Sequence, residues 1–315
     1  MGNLNTQRPL LSADPAGRFS HLLWAVPVMA VWGTSYVVIQ AGLRDTTPAF
    51  FASLRALPAG IAILVFDRLR PGRKPVPALT LREGLHVTLL GLLCTGVFFW
   101  AMFAGTPRVG AGLASVLVNT QPFFVAGGAY AFLGESLGLR RMASLLSGFM
   151  GVVMISLPRM FAGPAGDFLG IGILLLGSAG FAVGLVLSKR LYQRYDLYWL
   201  TGSQLTVGGL ALLVMALGFE DISATRWTPS LLWAVLYLSL LGTGITSLLW
   251  FRLVRFHSVA TLSAFGFLSP AVGVVLAWLV YSEQFSPLVL SGMFLVLAGL
   301  YGMGGRARGG ASAKT

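Results

Sequence analysis

SVLVNTQPFFVAGGAYAFLGE, residues 115–135, is an apolar run with a proline mid-way and a glutamate at its far end, and SAFGFLSPAVGVVLAWLVYSE, residues 263–283, repeats its layout 148 positions later. Serine stands first, proline eighth and glutamate twenty-first in both. At about 1.5 Å per residue, either run is long enough to cross roughly 30 Å of hydrocarbon as a helix. The pair marks the chain as a duplicated membrane protein, and duplication of this kind points to transport.

The echo extends on both sides. Leu92, Leu93, Thr95 and Gly96 recur at the same offset as Leu240, Leu241, Thr243 and Gly244, and Gly151 recurs as Gly299. One residue more of offset carries Gly60, Ala62, Leu64 and Val65 onto Gly209, Ala211, Leu213 and Val214. Composition agrees: 56% of the 315 residues are hydrophobic and 10% charged, too few polar side chains to cover a water-soluble globule. Forty glycines suit membrane helices that must approach closely to pack.

Apolar runs fall at 22–40, 47–66, 86–104, 109–133, 142–158, 168–188, 199–218, 230–251, 257–281 and 286–304, giving ten expected transmembrane helices. The first run is too long for a signal-peptide core and is read as a retained span. With the N-terminus cytosolic, the inner segments hold seventeen of the 22 Lys and Arg residues, which fixes the orientation by the positive-inside rule. The net charge of +12 is then mostly this asymmetry facing anionic lipid rather than a nucleic-acid surface. Five spans per half force the second half in upside down. The expected architecture is an all-α integral membrane protein of two inverted five-helix repeats, residues 22–158 and 168–304, with cytosolic tails at 1–21 and 305–315.

Arg55 is the charged side chain that falls well inside a span. An intramembrane ionisable group must be paired or face a cavity, and marks a functional position or a structural bond to backbone carbonyls. Trp32, Tyr36 and Gln40 share one face of the first span, Thr243, Ser247 and Trp250 one face of the eighth, and Thr95, Phe99 and Met102 one face of the third. Aromatic faces with a few hydroxyls suit an organic solute, or else helix packing. Asn119 should point inward because its amide needs partners, and Pro122 should kink the fourth span and free a carbonyl near Val118, with Pro270 as its counterpart. Glu135 and Glu283 are expected at opposite membrane faces, each accepting from the N-terminus of the following helix.

Absent chemistry narrows the function. Asp and Glu are missing from the middle of every span, and His21, His86 and His257 sit at span edges, so no buried carboxylate relay is visible. The sequence has no phosphate-binding Gly-Lys-Ser/Thr loop, no HExxH pair and no GxSxG elbow, so neither a cofactor nor an ATPase subunit is implied. Cys94 is the one cysteine, which excludes an internal disulfide and a Cys-based metal cage. A lipid-modifying membrane enzyme would need clustered His, Asp, Glu or Cys at one face. A permease for nucleotide-linked or phosphorylated metabolites would want several basic side chains in the cavity, where only Arg55 is offered.

VWGTSYV at 31–37, Pro48 followed by Arg55, and the Ser-Pro-Glu helices at 115–135 and 263–283 resemble the drug/metabolite transporter superfamily and its EamA-type family of bacterial inner-membrane exporters. Gly292 and Gly299 fit the glycines that follow the second glutamate in that family; Ser144 and Gly151 follow the first, a mild departure. The resemblance, over about residues 22 to 304, implies secondary export of amino acids, related metabolites or amphipathic drugs, without a cofactor. It implies a central cavity built by the third, fourth, eighth and ninth spans, which adds Trp100 to Asn119, Thr243 and Trp250 as cavity residues. The expected partners are a small organic solute and membrane lipid, in the bacterial inner membrane with both termini cytosolic.

Overall fold

The computed structural model describes residues 22–73, 75, 79–135, 138–160, 167–272 and 286–304, and every regular element among them is helical. In chain order these are α1 (Ala25–Gly42), α2 (Pro48–Leu69), α3 (Leu81–Gly91), a π-turn (Leu92–Val97), α4 (Phe98–Val118), α5 (Gln121–Leu133) and α6 (Leu139–Met160). Then come α7 (Phe168–Arg194), α8 (Leu197–Phe219), α9 (Pro229–Ser239), a second π-turn (Leu240–Ile245), α10 (Thr246–Phe256), α11 (Val259–Ala264) and α12 (Pro287–Gly304). Among the described residues seven helical stretches are long and apolar enough to cross a membrane, and Val259–Val272 and Pro287–Met303 are shorter apolar helices.

Helix starts follow from local chemistry. Thr80 opens α3 with a capping box: its hydroxyl accepts from Glu83 N while the Glu83 carboxylate accepts from Thr80 N. Thr228 opens α9, 148 positions on, accepting from Leu231 N. Asp167 caps α7 and Asp196 caps α8, each accepting from the second and third amides of its helix. The Gly170 amide, followed by Arg108, holds the Asp167 carboxyl below the ordinary aspartate range. Gly134 ends α5 at φ +68, a left-handed position that glycine adopts without strain.

Two features depart from the sequence reading. No loop separates the third and fourth runs, because α4 continues from Phe98 to Val118 with Pro107 inside it. The interruption comes later. The chain turns at Asn119–Thr120 and restarts with Pro122 in the first turn of α5, where its missing N–H costs no helical bond. Pro122 therefore marks a break rather than a kink, and at the break the Leu117 carbonyl accepts from both the Thr120 amide at 3.2 Å and the Thr120 hydroxyl at 2.6 Å. Around Pro270 the chain tightens instead, through a 3₁₀ turn at Phe265–Phe267.

Close packing concentrates on two helix pairs, α2 with α8 and α6 with α12. A Cβ added at Gly151 would lie 2.5 Å from Gly292 O, and one at Gly299 would lie 2.6 Å from Ser144 O. Ser144 and Gly292, like Gly151 and Gly299, are 148 residues apart, so the two contacts are reciprocal. Between them Ser147 Oγ donates to Leu295 O at 3.0 Å, again across 148 positions. The other pair repeats the arrangement: a Cβ at Gly60 would meet Thr206 N at 2.7 Å, and one at Gly209 would meet Leu57 N at 2.9 Å. Such approaches let dispersion replace the hydrophobic drive that is lacking between helices in lipid.

These contacts predict that Gly299→Val, which forces atoms against the α6 backbone, destabilises the protein by about 1–3 kcal/mol or prevents folding. Gly127→Ala, where an added Cβ meets nothing within 4 Å, should leave stability unchanged. Thermal unfolding in detergent compares the two.

A candidate solute cavity

The helix breaks surround one cavity. It encloses about 950 Å³ of atom-free space, open solvent at its mouth included, and its wall draws on α1, α2, both π-turns, α4, the 118–122 break, α7, α8, α10 and the 263–269 stretch. Most of that wall is aromatic or aliphatic. Trp32 and Trp250 pack at 5.3 Å between ring centroids with their planes tilted by 53°, and Phe98 and Phe181 pack at 4.6 Å. Trp32 Nε1 donates to Thr246 Oγ1 at 3.1 Å, which fixes the indole.

Arg55 lines this cavity at 3% exposure and is the one charged side chain among its described wall residues. Its Nε donates to Thr243 Oγ1 at 2.7 Å and its Nη2 to Gly242 O at 2.9 Å, both acceptors lying in the second π-turn. The guanidinium carbon also sits 4.4 Å from the centre of the Phe99 ring. A cation can remain this deep because charge-assisted bonds and an aromatic face replace its water. The π-turn supplies the acceptors: a widened turn departs from the α-helical ladder and commonly marks a functional site.

Other buried polar atoms in the wall have no hydrogen-bond partner among the described residues: Trp250 Nε1, Gln204 Oε1 and Gln121 Nε2. Trp250 is 2% exposed and Gln204 1%. Buried polar groups are ordinarily paired, and orphaned ones on residues that line a cavity are groups that an occupant can satisfy.

Of the residues expected here, Trp32, Arg55, Thr95, Asn119, Ser247, Trp250 and Pro122 line the cavity. Asn119 also lies close to the opposite wall, since a Cβ at Gly266 would stand 3.6 Å from its Oδ1. Thr243 is fully buried behind Arg55 and acts on the cavity through it. Trp100 is not in the wall: it is half-buried against the cluster around Phe51 and Phe103, on another face of α4 from Phe99. Pro270 is half-buried and also outside the wall. The Tyr36 side chain and Glu283 lie outside the described residues.

Glu135 is tied to a different helix from the one expected. Its carboxylate accepts from Ser258 Oγ at 2.5 Å and Val259 N at 3.3 Å, at the start of α11 rather than of α6, which follows it in the chain. Beside it Lys189 Nζ donates to the carbonyls of Val254, at 2.7 Å, and His257, at the end of α10. One carboxylate and one ammonium thus satisfy the facing ends of two consecutive helices. Gln204 is among the wall residues that the facial stripes missed, its one hydroxyl companion at helical spacing being Thr201, three residues earlier. The signal that would have found it is the 149-residue offset, which carries Arg55 onto Gln204 as it carries Gly60 onto Gly209.

The EamA-like transporter family model matches the chain twice, over residues 19–157 and 168–305. Protein PecM of Dickeya dadantii is 32% identical over 273 residues, covering 86% of this chain and 87% of its own. An uncharacterized transporter of Synechocystis is 31% identical, covering 86% of each chain, and the uncharacterized transporter YvbV of Bacillus subtilis is 29% identical, covering 91% of each. A solved crystal structure superposes with a TM-score of 0.73 at 19% identity, over 90% of this chain and 96% of that one, a likeness of fold.

Thr243→Val should expose how firmly Arg55 is held. The substitution keeps the shape, removes the acceptor of Arg55 Nε and is expected to cost about 1–3 kcal/mol, whereas Thr243→Ser should keep most of the stability. The check is the Tm of the two variants in detergent.

Proposed function

Because the chain belongs to the EamA-like transporter family, we propose that this multi-pass membrane transporter moves a small organic solute, an amino acid, related metabolite or amphipathic drug, outward by alternating access. It is not an enzyme, as its family and relatives are transporters. The observation that carries the proposed solute class is the cavity wall: aromatic surface for an apolar body, with the orphaned polar atoms of Trp250, Gln204 and Gln121 to orient polar ends. A phosphorylated or nucleotide-linked solute is disfavoured, because Arg55 alone would have to balance its charge among the described wall residues.

The proposed framework is ten spans in two inverted five-helix halves, the three remaining ones being α6, the 259–272 helix and α12. The double family match and the recurrence of the π-turns at Leu92 and Leu240 support it. Inverted halves around one site can exchange inward-open and outward-open shapes by rocking, with no nucleotide hydrolysis. The proposed setting is the bacterial inner membrane with both termini cytosolic.

Counterflow in proteoliposomes tests this reading. Purified protein preloaded with amino acids, metabolites or amphipathic drugs should take up labelled solute above empty liposomes, and Trp250→Ala, folded by thermal melting, should lower that uptake about tenfold or more. Folded wild-type protein that exchanges nothing across a broad panel overturns the reading. For the orientation, single cysteines placed at positions 5 and 310 in a Cys94→Ser background should react with impermeant maleimide only when the cytosolic face is exposed.

A further inference from the structure

Arg55 and Gln204 stand at equivalent positions, 149 residues apart, and both line the cavity. Each belongs to a helix packed on a π-turn. Arg55 bonds Gly242 and Thr243 of Leu240–Ile245. The Gln204 helix lies against the other turn, since a Cβ at Gly91 would come 2.7 Å from Gln204 O and one at Gly208 would come 2.4 Å from Thr95 Cβ. The two positions differ in chemistry. A guanidinium only donates, whereas Gln204 presents Oε1, a buried acceptor with no hydrogen-bond partner among the described residues. Trp250 Nε1 and Gln121 Nε2, also in the wall, are donors in the same condition.

We propose that Gln204 determines specificity: its Oε1 accepts a hydrogen bond from an N–H or O–H group of the solute, so the cavity selects an apolar body that carries a donor as well as an acceptor. The acceptor end is served by Trp250 Nε1, Gln121 Nε2 and Arg55. A solute without the donor leaves Oε1 buried and unsatisfied, and sites built to bond a polar group reject analogues that lack it more strongly than pockets that merely fit a shape. The inference rests on the solute-transport reading above and adds to it which polar group the solute must bear.

The test is counterflow of two probes with one body, phenylalanine with its ammonium donor and 3-phenylpropanoate without it, on the full-length protein in proteoliposomes. Wild type should exchange phenylalanine about tenfold faster, a ratio worth one good hydrogen bond. Gln204→Leu should bring the two rates to within about twofold, while Gln204→Glu, which keeps an acceptor and nearly the same volume, should keep the preference. If Gln204→Leu does not fold, Gln204→Glu decides, and a preference lost in that variant overturns the assignment. Equal exchange of both probes by wild type, or an unchanged ratio in folded Gln204→Leu, overturns the Gln204 assignment and leaves the transport reading standing. Failure of folded wild type to exchange either probe or any solute of the wider panel overturns both.

Discussion

Backbone hydrogen bonding in hydrocarbon is the constraint on which this structure turns. Inside a bilayer no water can satisfy an amide or carbonyl released from a helix, so irregular backbone survives only where protein or a cavity receives it. The interruptions within the apolar helices obey this rule. The π-turns at Leu92–Val97 and Leu240–Ile245, the turn at Asn119–Thr120 and the 3₁₀ turn at Phe265–Phe267 all contribute wall residues to one cavity or hold a group that does. Arg55 is seated by the same economy, because the Gly242 carbonyl and Thr243 hydroxyl of a π-turn meet the donors of its guanidinium. The breaks define the cavity, and the cavity makes the breaks tolerable.

Tight packing elsewhere complements this looseness. The α2–α8 and α6–α12 contacts bring backbones together through Gly60, Gly209, Gly151 and Gly299, in reciprocal arrangements that leave no room for a Cβ. Polar ties close the bundle ends: Arg226 with Asp45 at 2.8 Å, Arg70 with Asp196 at 2.7 Å, and the Glu220 carboxylate on the first amides of α2. Arg226 is 69% exposed, so that ion pair is worth little by itself. Glu220 contributes differently, by satisfying amides that Thr47 leaves uncapped. The rocking proposed for transport would therefore have stiff seams to move about, set by helix pairs rather than by single bonds.

Much of the framework was legible in the sequence, because run length, charge bias and repeated offsets survive without knowledge of any contact. Hydropathy placed the seven long apolar helical stretches, though not the break at Asn119–Thr120, and the buried guanidinium of Arg55 followed from its isolation within a span. Rotation and breakage were not legible. Trp100 and Phe99 are neighbours in the chain, yet only Phe99 faces the cavity, since consecutive residues differ by about 100° around a helix and apolar composition does not say which direction is inward. Pro122 signalled a disturbance without saying whether the helix would bend through it or restart at it. The partner of Glu135 could not be found from order along the chain, because α11 is its neighbour only after the two matched segments are packed.

Equivalent positions with unequal side chains have a physical reason of their own. A second guanidinium at position 204 would share the cavity wall with Arg55, where low dielectric strengthens repulsion between like charges and each would need its own set of acceptors. A neutral amide avoids that repulsion and still offers hydrogen bonds. Duplication by itself would give a cavity two polar positions that are alike, so an occupant could bind in either sense. One cation and one amide make the two positions unlike, and a solute with distinguishable ends then has one orientation in which each end meets its complement.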